Sequence, residues 1–222
     1  MAEFPAGAVA VVGGATGLVG QALVRQLAAD HRWREVRALV RRAPRPELVV
    51  PRVVTVQVDY LQLEPPPPWA AADQIFCALG TTMRQAGSEA AFREVDFDYP
   101  LALARAALAR GTRHFLLVSA VGASRASRFF YNRVKGEVED AISTLGFRSV
   151  TIARPSLLLG DRAERRIGEQ IGKVLGLFAP PRWKPVAAES VARALVDAAK
   201  RDLPGVHFLE NPALRATGGQ QR

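Results

Sequence analysis

Ala8-Val9-Ala10-Val11-Val12-Gly13-Gly14-Ala15-Thr16-Gly17-Leu18-Val19-Gly20 is the stretch that decides the fold. Ala8 to Val12 is a continuous apolar run, the pattern of a strand covered on both faces. Gly14, Gly17 and Gly20 follow at intervals of three. From Gly17 to Ala29, residues Val19, Leu23 and Leu27 recur at helical spacing, with Gln21 and Arg25 turned outward. Strand, glycine turn and helix in direct succession form an arrangement that seats a pyrophosphate. The glycines allow a tight turn, close backbone approach and helix-on-sheet packing. The helix start adds unpaired N–H groups and the positive end of its dipole. A glycine turn with no ligand would read the same way, so the context carries the inference.

Working outward, short β-branched runs keep alternating with helical segments. Strands are expected at Val36 to Val40, Val53 to Val58, Gln74 to Leu79, His114 to Val118, Ser149 to Ala153 and Val206 to Leu209. Helices are expected over Asp98 to Arg110, Arg128 to Leu145, Glu164 to Leu177 and Glu189 to Lys200. Pro65 to Pro68 and Ala179 to Pro185 read as loops, with Trp69 and Trp183 packing them down. This alternation predicts one α/β domain over residues 1–212, a doubly wound parallel sheet. Its part from 156 to 212 would form the substrate side, and the polar tail 213–222 would be disordered.

A length of 222 residues suits a single core, and 49% hydrophobic with 23% charged residues excludes a disordered or fibrous chain. One cysteine, Cys77, excludes a disulfide framework and a multi-cysteine metal cluster. The distant His31, His114 and His207 give no local zinc signature, so no metal is expected. The net charge of +9 comes from arginines scattered along the chain; this reads as a solvated surface rather than a nucleic-acid footprint. Phe4 to Val24 carries no charge, but its five glycines and the preceding Met1-Ala2-Glu3 argue against a membrane span or signal peptide. The expectation is therefore a soluble, cytoplasmic protein with no membrane partner.

Two further features carry chemistry. Arg41 and Arg42 lie 21 and 22 residues beyond Gly20, where an NAD-preferring site places an acid on the ribose 2′-OH. A guanidinium pair there suits a 2′-phosphate, hence NADP(H), the alternative being two ordinary surface arginines. Asp59, ending the third strand, is placed to meet the adenine edge. Tyr131 and Lys135 stand at i and i+4, so phenol and ammonium share one helix face. A free tyrosine titrates near pH ~10, and a neighbouring ammonium stabilises its phenolate, which suits general acid–base work. The alternative is a half-exposed surface pair. Cys77 itself reads as a small core hydrophobe rather than a nucleophile.

In order and spacing these features resemble the short-chain dehydrogenase/reductase superfamily. The resemblance is to an atypical member of the Tat-interacting-protein oxidoreductase branch with an NAD(P)-binding Rossmann fold, and it runs from about Val9 to Ala199. It is carried by Gly14 to Gly20, Leu39 to Arg42, Cys77 to Thr82, Ala86-Gly87, Val95-Asp96, His114 to Ser119, Tyr131 to Glu137 and Arg154-Pro155. The resemblance implies Tyr131 as proton donor or acceptor, Lys135 on the nicotinamide ribose, and Ser119 on a substrate carbonyl. It further implies Gly14, Thr16, Gly17, Leu18, Val19 and Gly20 on the pyrophosphate and Arg41 and Arg42 on the 2′-phosphate. Cys77, Leu79 and Gly80 would pass under the nicotinamide-side ribose, with Pro155, Leu158 and Arg166 closing over the cofactor. Homodimers are common in the superfamily, so a homodimer is a further expectation.

Three departures matter. Epimerases carry their catalytic Ser or Thr where this chain has Val121, Cys77-Ala78-Leu79-Gly80 replaces Asn-Ala-Gly, and only 67 residues follow Pro155. A bulky sugar-nucleotide substrate is therefore not expected. The sequence leads to an NADP(H)-dependent oxidoreductase acting on a small carbonyl substrate. The alternative from another class is a non-catalytic NADPH-binding sensor or scaffold that regulates a protein partner.

Overall fold

The computed structural model describes residues 7–42, 48, 50–159 and 180–217. The elements run β1 (Ala8–Gly13), α1 (Leu18–Ala29), β2 (Trp33–Val40), β3 (Val53–Gln57), β4 (Gln74–Cys77), α2 (Met83–Ala86), α3 (Glu89–Arg93), a π-helical turn (Glu94–Asp98) and α4 (Tyr99–Ala109). They continue through β5 (His114–Val118), α5 (Phe130–Ser143), β6 (Ser149–Arg154), β7 (Leu158–Leu159), β8 (Val186–Ala187), α6 (Ala188–Arg201), β9 (Gly205–Glu210) and α7 (Asn211–Ala216).

Seven strands form one parallel sheet in the order β3-β2-β1-β4-β5-β6-β9. Every residue of β1, β4 and β5 is buried, which is why these strands read as unbroken apolar runs. On one face α1 and α6 pack together, burying Val19, Leu23, Leu27, Val191 and Leu195. On the other, α4 and α5 bury Leu103, Ala107, Val138 and Ile142. Each fully buried Leu or Ile contributes roughly 1.5–3 kcal/mol. Replacing Leu23 or Leu103 with Ala would break its layer first. β1 is where the strand order reverses, since β2 flanks it on one side and β4 on the other. A doubly wound sheet opens its ligand crevice at that point, beyond the strand carboxyl ends.

Among the described residues the expected strands and long helices are present, with ends shifted by a few residues. Between β4 and α4 the sequence left α2, α3 and the π turn unassigned. Their signals are local: Thr82 caps Gln85 N–H, Ser88 caps Ala91 N–H, and Gly87 takes φ +77°. Two differences fall in the C-terminal part. Residues 213–216, expected in the tail, belong to α7, whose Leu214 is fully buried. Trp183 does not pack its loop down; it is 44% exposed beside Arg182. The expected helix Glu164 to Leu177, with Arg166, lies outside the described residues.

Candidate active site

A cleft of about 410 Å³ opens at the carboxyl ends of β1, β2, β3 and β4. Its walls come from the loops after each strand: Gly14, Thr16 and Gly17 after β1, Arg41 and Arg42 after β2, Tyr60 after β3, and Ala78, Leu79 and Gly80 after β4. Tyr99, the first residue of α4, closes one side.

The glycine turn has the shape that a pyrophosphate needs. Gly14 takes φ +76°, and a Cβ there would lie 2.4 Å from the Ala78 carbonyl oxygen. A Cβ on Gly20 would lie 2.0 Å from the Gly14 carbonyl oxygen, so Gly20 seats the helix on the turn. Gly17 is different, because its Cβ would meet only the Gly14 oxygen, at 3.4 Å. No side chain caps α1, leaving its first N–H groups for an anion. These residues fit a dinucleotide phosphate. Arg41 lies 6.0 Å from the Tyr99 ring centroid, Tyr99 stacks on Tyr60 at 5.3 Å, and the Tyr99 hydroxyl donates to Glu94. That bond to Glu94, with lesser help from desolvation, raises Tyr99 above the usual tyrosine range, and burial does the same to Tyr60.

Behind the loop after β4, Lys135 is buried and its Nζ pairs with Asp96 Oδ1 at 2.7 Å. Asp96 Oδ2 accepts the Thr81 N–H at 2.8 Å, tying the pair to the loop after β4. Tyr131, one turn before Lys135 on α5, is half-buried with its ring 5.4 Å from Phe92. Ser119 follows β5; its N–H bonds the Ala153 carbonyl, while its buried Oγ has no hydrogen-bond partner among the described residues. Cys77 is fully buried, and burial pushes its thiol up to about 12, so it lines the core and is no nucleophile.

A family model described as NAD(P)H-binding matches residues 14–202. The chain belongs to that family, as an atypical short-chain dehydrogenase/reductase. Protein FMP52 of Coccidioides immitis, named as mitochondrial, is 36% identical over 214 residues, covering 88% of this chain and 87% of its own. Protein HTATIP2 of Rattus norvegicus is 35% identical over 211 residues, covering 92% of this chain and 87% of its own. Among solved structures, an oxidoreductase of the short-chain dehydrogenase/reductase family from Burkholderia thailandensis shares the fold at a TM-score of 0.72 and 22% identity, covering 95% of this chain and 93% of its own. One expectation is corrected here: fungal relatives of this chain are named mitochondrial proteins, so the cytoplasmic reading does not stand.

Gly14, Thr16, Gly17, Arg41, Arg42, Leu79 and Gly80 thus meet in one cleft. Leu18 is exposed at the start of α1, whereas Val19 and Gly20 are buried behind the turn. Asp59 does not line the cleft. Its carboxylate accepts the Leu61 N–H at 3.0 Å and Gln62 Nε2 at 3.1 Å, closing a turn that presents Tyr60 instead. Pro155 and Leu158 also lie outside the cleft walls: the Pro155 carbonyl accepts the Val121 N–H, and Leu158 pairs with Val186. Asp96, Tyr60 and Tyr99 are the residues that sequence reasoning gave no role. Asp96 stood in the quoted Val95-Asp96, but nothing local marks an acid that meets a lysine 39 positions away.

Proposed function

We propose that this protein is an NADPH-dependent oxidoreductase acting on a small carbonyl or alcohol substrate, with Tyr131 as the acid–base group. The observation that carries the reading is the Ser119 hydroxyl, buried and without a hydrogen-bond partner among the described residues, just past the end of β5. Such a group costs about 1–3 kcal/mol unless something bonds it, and a substrate oxygen is the partner the chemistry supplies. A non-catalytic sensor has no use for that cost, which is why the enzyme reading is preferred.

A bound nicotinamide dinucleotide supplies or accepts a hydride at the substrate carbon. Ser119 would donate to the carbonyl oxygen and orient it. Tyr131 would give its phenolic proton to that oxygen as the carbon takes up the hydride, leaving an alcohol and a phenolate beside Lys135. In the reverse direction the phenolate would take the alcohol proton back. Arg41 and Arg42 support the phosphorylated cofactor, because both are exposed at the cleft wall, where guanidinium groups can form charge-assisted bonds to a phosphate.

Tyr131→Phe tests this reading against a panel of aldehydes and ketones, followed by NADPH absorbance. The variant is expected to lose about 100-fold or more in turnover while its NADPH affinity stays within about twofold. A Tyr131→Phe enzyme as fast as wild type would contradict the proposal.

A further inference from the structure

We propose that Asp96 is a positioning residue for this site: its carboxylate fixes the Lys135 ammonium beside Tyr131 and keeps it charged where water does not reach. The inference rests on the oxidoreductase reading of the same site, and it concerns how the site is built.

The geometry begins with two segments docked in matching register. Phe92 and Asp96 are four residues apart, as are Tyr131 and Lys135. Phe92 meets the Tyr131 ring at 5.4 Å, and Asp96 meets the Lys135 ammonium at 2.7 Å. Between Phe92 and Asp96 the chain enters the π turn Glu94–Asp98. One such turn inserts a residue into the helical register and rotates the next helical residues by about 100°. Asp96 is fully buried there, and its second oxygen is held by the Thr81 amide. Gly80 lets the loop after β4 lie against the ion pair: a Cβ there would stand 3.3 Å from Asp96 Oδ1 and 3.6 Å from Lys135 Nζ. Gly80 is itself a wall of the cleft.

Charge decides what this pair does. The lysine side chain is 5% exposed, and an isolated ammonium so placed sheds its proton. The titratable groups facing it are Asp96, Tyr131 and Cys77, and the Cys77 thiol stays protonated because burial raises it to about 12. Asp96, paired with the ammonium at 2.7 Å, is therefore the group that holds the proton on Lys135. Burial alone would push Lys135 down, yet the lysine titrates above its ordinary range because Asp96, with smaller help from Tyr131 and Cys77, outweighs burial. The same carboxylate offsets part of the ammonium's field, so Lys135 presents to Tyr131 as half of an ion pair rather than as a bare cation.

The test reads lysine side-chain carbon NMR signals, tractable because the chain has only four lysines. In Asp96→Asn, Lys135 is expected to titrate at least about two pH units lower than in wild type. The alkaline limb of the pH–turnover profile should move down with it, and Asp96→Glu should restore most of the shift. A folded Asp96→Asn protein whose Lys135 titrates as in wild type would overturn the proposal. If Asp96→Asn does not fold, the comparison is with Asp96→Asn/Lys135→Met, which strands no charge. The double variant is expected to recover folding, and one that also fails to fold would overturn the proposal. The lysine signal needs no substrate, so wild-type protein inert toward every carbonyl would count against the oxidoreductase reading and not against Asp96.

Discussion

Gly20 and Gly17 belong to one motif and answer to different forces. A methyl on Gly20 would sit 2.0 Å from the Gly14 carbonyl oxygen, and the Gly14-Ala15 backbone cannot yield without lifting α1 from the turn. Gly20→Ala is expected to cost about 1–3 kcal/mol in urea unfolding, as overpacking does. Gly17 has extended backbone at φ −81°, ψ 171°, and a Cβ there would have room. Gly17→Ala should leave stability within about 0.5 kcal/mol while weakening dinucleotide binding by about tenfold or more, a loss of roughly 1.4 kcal/mol. Equal destabilisation by the two substitutions would contradict this division of roles. At this scale the sequence was legible where one short segment carries the geometry, as in Gly14 to Gly17 and Arg41-Arg42, which line one cleft, and in Tyr131 and Lys135, which share one helix. It was silent where function is a contact between distant residues. Asp96 on Lys135 and Arg41 near Tyr99 arise only when the chain folds. Asp59 misled because its placement after a strand was right but its carboxylate was already engaged by the next turn.

Among the elements, α5 ties the proposed chemistry to the scaffold. Its buried face, Val134, Val138 and Ile142, packs with α4 and the sheet, while Lys135 points to the ion pair. The segment from Ser119 to Ser127 crosses its first turns: Ser124 N–H bonds the Asn132 carbonyl, and Asn132 Nδ2 bonds the Gly122 carbonyl. Gly136 permits that crossing, since a Cβ there would lie 2.2 Å from the Arg125 nitrogen. Gly136→Ala is therefore expected to cost about 1–3 kcal/mol. It should also lower turnover, because Ser119 and Tyr131 are carried by the two segments forced apart. Thermal unfolding and NADPH oxidation check it, and a variant unchanged in both would remove Gly136 from the account. Long helices with a periodic apolar face, such as α5 and α6, were readable from sequence. α2 and α3 span four and five residues, too short for periodicity to register, and only Thr82, Gly87 and Ser88 hinted at them.

For the molecule as a whole, the two ends of the sheet have separate tasks. The carboxyl end holds the cleft. The opposite end holds His114, buried at the start of β5, with Nε2 2.9 Å from Thr151 Oγ1 and Nδ1 3.2 Å from Asp202. Asp202 also accepts Arg148 at 2.7 Å, at the join of α6 and β9. Desolvation, only partly offset by Asp202, pushes His114 down to about 4 from 6.5. The unfolded chain then binds this proton at higher pH than the native one. His114 therefore contributes stability that is complete above about pH 6.5 and is lost as pH falls toward about 4. Acidifying from pH 6.5 to 5 is expected to cost about 1–2 kcal/mol through this group. In urea unfolding a folded His114→Gln variant should show a correspondingly flatter pH dependence, and an unchanged slope would contradict it. The doubly wound order was readable from the alternation of strands and helices alone. The partners of His114 were not, because Thr151 and Asp202 reach it from other elements.

The cleft is proposed to take NADPH through the glycine turn and the Arg41-Arg42 pair. The most direct measurement is titration of cofactor-free protein with NADPH and NADH, repeated on Arg41→Ala/Arg42→Ala. Charge-assisted bonds contribute about 1.5–3 kcal/mol each, so wild type should prefer NADPH by about tenfold to several hundredfold. The double variant should lose that preference and keep its NADH affinity. Equal affinity of wild type for the two cofactors would contradict the account.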